Sequence, residues 1–271
     1  MAPVSCVLLK LEQFYQVLDV PKVILFFILG ASVGSFLNVV VGRYGKKRKW
    51  WQGRSFCESC QRQLDWWENI PIVSYLILRG RCFSCRSPIP LEYFLVESGT
   101  GLIYSFIYYQ FINANLLLTT CYILLTTILI AVFLFDLHYQ IIPDWAVLGL
   151  VFLSILINFI NHQSLTIIHG LLSGLASSLF FLFLHFVTRG QGMGLGDVKY
   201  VLFMGLFLGW PKILVGHYVA FLTGALVGVI LILVGKKEFG QHIAFGPFLV
   251  FGTFTAWVWG EKIISLLTSL I

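Results

Sequence analysis

LLLTTCYILLTTILIAVFLFD, residues 116–136, is a run of twenty-one residues in which the last, Asp136, is the first to carry a charge. About 20 apolar residues cross the hydrocarbon core of a bilayer, so this stretch reads as a membrane span closed by a carboxylate. A charged side chain at the centre of such a span costs about 2.5–3.5 kcal/mol on insertion scales and is normally retained for function. At a helix end an aspartate is cheap, and capping is the plain alternative. A second carboxylate, Asp197, ends the run Gly192-Met193-Gly194-Leu195-Gly196-Asp197 at the opening of another apolar segment. Capping would explain either aspartate alone. The two together are the minimum equipment for activating water against a peptide bond.

The rest of the chain has the same character. Of 271 residues, 58% are hydrophobic and 11% charged, against about a quarter charged in soluble domains, and the mean hydropathy is +0.88. Further apolar stretches fall at 23–41, 93–112, 145–160, 167–187, 198–210, 213–234 and 245–264. The predicted fold is therefore an all-α polytopic membrane protein. The segment before residue 23 contains Lys10, Glu12 and Asp19 and lacks a clear small-residue cleavage site, so the first span is expected to stay as an anchor.

Charge sets the expected topology. Residues 43–92 hold ten of the eighteen Lys and Arg, which places that loop in the cytosol. The thirteen residues of 198–210 are short for a crossing. If they do cross, Arg189, Lys199, Lys236 and Lys237 all fall inside, so about eight spans are expected, with both termini outside. The net charge of +6 belongs to this orientation and to anionic lipid headgroups, and no nucleic-acid partner is expected. Asp136 and Asp197 then lie at one depth, near the inner face.

The basic loop carries Cys57-x-x-Cys60 and Cys82-x-x-Cys85, with 21 residues between the pairs. Paired CxxC knuckles of this kind read as a four-thiolate zinc site. Disulfides would be out of place in the cytosol, and a redox pair would need a βαβ context that is absent. A metal with four thiolates has no open position for substrate, so its role is structural. Three parts are expected: a tail and first span over 1–42, a zinc domain over 43–92, and a membrane bundle over 93–271. Cys6 and Cys121 read as apolar fillers. Trp66-Trp67-Glu68-Asn69-Ile70-Pro71 reads equally as an element resting on the bilayer surface or as a local core.

Taken in order, these motifs resemble the bacterial type IV prepilin peptidases, bifunctional leader peptidase/N-methyltransferases of the GxGD class of intramembrane aspartic proteases. The resemblance runs along nearly the whole chain: Gly34-Ser35-Phe36-Leu37-Asn38-Val39-Val40 with Arg43, the two CxxC pairs enclosing Trp67-Glu68-Asn69-Ile70-Pro71-Ile72-Val73-Ser74-Tyr75, Asp136 with Ile142-Pro143-Asp144, the Gly192–Lys199 run, and Phe245-Gly246-Pro247-Phe248. It implies cleavage of the basic leader of type IV prepilins or pilin-like proteins after a glycine, at the cytosolic face of the bacterial inner membrane. The new N-terminal residue would then be methylated from S-adenosylmethionine. By motif match Asp136 and Asp197 are the catalytic pair, Cys57, Cys60, Cys82 and Cys85 the zinc ligands, and Gly80-Arg81 a methyl-donor element. The family has lysine where this chain has Arg81, which keeps the charge but not the shape. A protease-only member of the same fold is the alternative, and a zinc-bearing scaffold or transporter a more distant one; a transporter should show internal repeats around a midplane site.

The chemistry of such a pair needs one ionised carboxylate to take a proton from water and one protonated carboxyl to donate to the scissile carbonyl, and the pair titrates as a unit. The glycines at 192, 194 and 196 permit close approach of backbone and substrate. Asp144, after Pro143, reads as a helix-start residue. Glu97 is expected to pair with Lys199 or to line the site, and His138 to sit in a loop.

Overall fold

The computed structural model describes residues 4–45, 53–111, 115–161, 164–190, 192–235 and 244–269, with the side chains of 4–19 and 164–166 left aside. Lys46, Lys47, Arg48, Lys49, Lys236 and Lys237, which weigh in the charge reading, lie outside the described residues, as does the side chain of Cys6. The described residues form nine α-helices: α1 (Val4–Arg43), α2 (Val73–Ile77), α3 (Leu91–Gln110), α4 (Leu116–Tyr139), α5 (Asp144–Ile160), α6 (Ser164–Val187), α7 (Leu195–Leu208), α8 (Lys212–Leu233) and α9 (Gly246–Ser269). No strand occurs among them, only the isolated bridges Phe56–Gln63 and Arg81–Pro88. Among the described residues, four segments are long and apolar enough to cross a membrane, Val20–Arg43, Leu116–Tyr139, Ile167–Val187 and Lys212–Leu233. The chain is a helical membrane protein.

Two compact units divide the chain, Met1–Thr119 and Thr120–Ile271. In the first, α1 lies along α3. Small residues bring the backbones together: a Cβ on Gly30 would meet the Thr100 carbonyl oxygen at 2.7 Å. Such small-residue seams are how helices pack where lipid removes the hydrophobic driving force. Phe26 stacks on Tyr108, and Ser105 Oγ donates to the Val23 carbonyl at 3.1 Å. The loop between α1 and α3 carries the cysteines, a 3₁₀ turn at Trp66–Asn69 and the single-turn α2.

The second unit is built around α7, which packs against α5, α6, α8 and α9. Tyr200, Val201, Phe203 and Met204 are completely buried along it. With 14 residues, α7 is about 21 Å long, short of the roughly 30 Å hydrocarbon thickness. A helix apolar on every side must be surrounded, and α7 is surrounded by protein. Gly174 of α6 and Gly205 of α7 meet backbone to backbone, and Asn158 Nδ2 donates to the Leu206 carbonyl at 3.2 Å. Tyr122 of α4 stacks on Trp257 of α9, and buried Cys121 beside it fills space as expected.

Candidate active site and metal centre

Asp136 lies in the last turn of α4, where a negative charge opposes the helix dipole. It therefore does not cap its own helix. Its Oδ2 accepts the backbone N–H of Gly246, the first residue of α9, at 2.7 Å. The first N–H groups of a helix have no internal partner, so α9 presents a ready donor to the carboxylate. Only glycine allows this: a Cβ at 246 would lie 2.6 Å from Asp136 Oδ2 and 2.8 Å from its Cγ.

Asp197 occupies the first turn of α7, and its Oδ2 accepts the Gly194 N–H at 3.0 Å. This is the return half of a capping box, so a capping contact is present. Asp197 is nonetheless 7% exposed and Asp136 5% exposed, which capping alone does not require. Both carboxyls belong to the same compact unit. The segments bearing them also touch, since a Cβ on Gly196 would sit 3.1 Å from Ile142 Cβ. Asp144 opens α5 as its motif position predicts, but it is exposed and pairs with Lys199 at 2.7 Å.

The sequence reading gave no role to two residues here. His185 Nδ1 lies 2.7 Å from the Met193 carbonyl, holding the glycine-rich loop to the end of α6; the histidines have no ligand spacing, so nothing in the sequence marked it. The motif Phe245-Gly246-Pro247-Phe248 was marked by resemblance only, and its glycine proves to be the residue against Asp136. His138 belongs to the last turn of α4 rather than to a loop.

In the first unit, Cys57, Cys60, Cys82 and Cys85 present four sulfurs within 4.8 Å of one another. Tetrahedral zinc with Zn–S bonds of about 2.3 Å requires sulfurs roughly 3.8 Å apart, and Cys57 Sγ and Cys85 Sγ lie at 3.8 Å. The donor set fits a metal. Each knuckle is built the same way: Cys57 N–H donates to Arg62 O and Cys82 N–H to Ser87 O, both at 2.9 Å, with Gln61 and Arg86 in left-handed conformation at the equivalent turn position. The Cys60 N–H, opposed in part by burial, brings the Cys57 thiol down to about 6. Hydrogen bonds from the Ser87 hydroxyl and backbone lower Cys85. Cys60 goes up to about 11, the Arg62 N–H that favours its thiolate being outweighed by desolvation and by the sulfurs of Cys57 and Cys85. Crowded thiolates repel, and a divalent cation relieves that repulsion.

The loop between the knuckles carries its own polar core. Arg62 Nη2 donates to both oxygens of the buried Glu68 carboxylate, at 2.6 and 2.7 Å, and the Asp65 N–H donates to it at 2.8 Å. Trp67 packs edge-on against Phe83 while Trp66 is 74% exposed, so the tryptophan pair divides between the local core and the surface. Gly80 has φ +66°, and a Cβ there would meet Tyr75 Oη at 2.8 Å; Arg81 follows it directly into the second knuckle. Lys199 is taken by Asp144, and Glu97 Oε2 accepts the Ile72 N–H at 2.7 Å.

A multi-span helical bundle with two buried carboxyls, joined to a four-cysteine loop, defines a membrane protein of restricted type, and comparison with known proteins narrows it. Residues 28–111 match the bacterial peptidase A24 N-terminal domain and residues 123–233 the type IV leader peptidase family. The prepilin leader peptidase/N-methyltransferase of Stutzerimonas stutzeri is 34% identical over 268 residues, 88% of this chain and 91% of the relative. That of Pseudomonas aeruginosa is 35% identical over 266 residues, covering 87% and 90%, and that of Neisseria gonorrhoeae 33% over 260 residues, covering 85% and 87%. No solved structure matches. The chain belongs to the type IV leader peptidase family.

Proposed function

We propose that this protein removes the leader peptide of type IV prepilins or pilin-like proteins with Asp136, Asp197 and water, and then N-methylates the new N-terminus. The observation that carries the proteolytic part is the pair of buried carboxyls in one helical unit, each accepting a glycine N–H, while the nearby Asp144 is exposed and ion-paired. Of the three aspartates only the buried two are withdrawn from water and, among the described residues, lack a counter-charge. One carboxylate takes a proton from the attacking water, the other carboxyl donates a proton to the carbonyl oxygen, and the roles reverse as the tetrahedral adduct collapses and the amine leaves. The fixed amides of Gly246 and Gly194 orient the carboxyls and leave their second oxygens for this exchange.

The reading places 1–42 as tail and anchor, 43–92 as the zinc domain and 93–271 as the protease bundle, with about eight crossings and the cleavage site at the cytosolic face of the inner membrane. Zinc is the metal we assign to the four cysteines, as a structural ion. S-adenosylmethionine would supply an electrophilic methyl group to the freed amine, and the chain's task is to hold donor and amine together. The test is incubation of purified protein with a synthetic prepilin segment and S-adenosylmethionine, read by mass spectrometry. Cleavage after the leader glycine with one added methyl supports the whole reading. Cleavage alone, with the methyl donor in excess, favours the protease-only alternative.

A further inference from the structure

Unit one contains a cavity of about 410 Å³, walled by the inner end of α1, the start of α3 and the cysteine loop. Its size falls in the range of roughly 300–1,000 Å³ typical of small-molecule sites. The wall carries three aromatic rings (Phe56, Tyr75 and Tyr93), the acids Glu58, Glu68 and Glu97, and one guanidinium, Arg43. We propose that this cavity is the methyl-donor site, taking an adenosyl sulfonium with its amino-acid tail. The inference rests on the methyl-transfer reading above and gives that activity a place in the molecule.

The chemistry matches part by part. A purine needs flat aromatic surface, which Tyr75 and Tyr93 offer. A ribose diol needs a carboxylate acceptor, a sulfonium needs anionic or π surroundings, and an amino-acid carboxylate needs a guanidinium. Of the three acids in the wall, Glu97, on α3 and 8% exposed, is the most deeply buried that is not already committed to an arginine. It is held by the N–H of Ile72, a β-branched residue at φ +64°, ψ −53°. The Val73 N–H donates to Pro71 O at 2.6 Å across the same turn. This is the strained hand of the γ-turn, which persists only where its surroundings over-determine it. Asn38 of α1, also in the wall, donates Nδ2 to the Tyr93 carbonyl at 3.4 Å, fixing the approach of α1 to α3.

Gly80 and Arg81 are not in the wall of this cavity. Gly80 instead backs Tyr75, which is in the wall, and any side chain at 80 would push the tyrosine from its position. Gly80 is thus a positioning residue that acts through Tyr75.

The experiment uses zinc-loaded full-length protein in detergent, with S-adenosylhomocysteine as the probe in calorimetric titrations. Glu97→Gln and Gly80→Ala should each weaken binding at least tenfold, with zinc content and melting temperature close to the parent's establishing that they fold. In parallel, ultraviolet crosslinking of methyl-labelled S-adenosylmethionine to the parent protein should leave label on peptides that contain Tyr75 or Tyr93. Label confined to residues 120–271, or unchanged affinity in both variants, overturns the placement while leaving methyl transfer intact. A parent protein that neither binds the probe nor methylates mature substrate instead overturns the methyl-transfer reading itself.

Discussion

Asp136 and Asp197 differ from the other acids of the second unit in what they have given up. Both are buried, each is fixed by one backbone amide, and neither has a cationic partner among the interactions described for it. Asp136→Asn and Asp197→Asn keep the shape and remove the exchangeable proton, so each should abolish leader cleavage, measured as the rate of appearance of mature substrate. The double variant should be scarcely worse than either single, since groups acting as one unit are strongly non-additive. Asp144→Asn loses only an exposed ion pair, worth about 0–1 kcal/mol, and should retain most of the activity. Full turnover by Asp136→Asn would remove that residue from the chemistry. Gly246→Ala is a sharper test of geometry. Its methyl would meet the Asp136 carboxylate at 2.6 Å, so cleavage should fall at least tenfold in protein that still reaches the membrane. Gly99→Ala, where a Cβ meets nothing within 4 Å, should leave activity unchanged and stabilise α3 by about 0.5–1 kcal/mol.

At the scale of elements, the cysteine loop is too small to be secure on an apolar core, since even a domain of about 60 residues is marginal. Its stability should therefore follow the metal. Purified protein is expected to hold about one zinc per chain, as four-thiolate sites do. Cys57→Ser or Cys82→Ser should lose that zinc and lower the melting temperature, with the site's three remaining thiols then reacting quickly with a thiol reagent. Metal-free fresh protein with an unchanged melting temperature would refute the site. Arg62→Ala should be costly for a separate reason. It leaves the Glu68 carboxylate buried without its bidentate partner, an uncompensated buried charge, so the melting temperature should fall. Thermal melting of the zinc-loaded protein measures it. The short α7 makes the complementary point in the second unit: a 14-residue apolar helix is stable there because α5, α6, α8 and α9 enclose it.

For the whole molecule, the proposal of about eight crossings predicts that cysteine-specific labels reach residues 2, 164 and 270 from outside, and 60, 190 and 237 only from the cytosol. Labelling of 237 from outside would mean that 198–210 turns back without crossing. Much of this architecture was legible in the sequence because its cause is compositional: long apolar runs must be helical in lipid, and paired CxxC knuckles need only a turn each to bring four sulfurs together. The carboxyls were legible as unusual for the same reason, since charge in an apolar run is expensive wherever the run ends up. Tertiary structure decided who meets whom. That Gly246 rather than another backbone amide reaches Asp136, and that Lys199 goes to Asp144 and Glu97 to Ile72, are contacts between residues distant in sequence. No local pattern encodes them, because they follow from how closely helices approach, and that is set by glycines whose only signature is the side chain they lack.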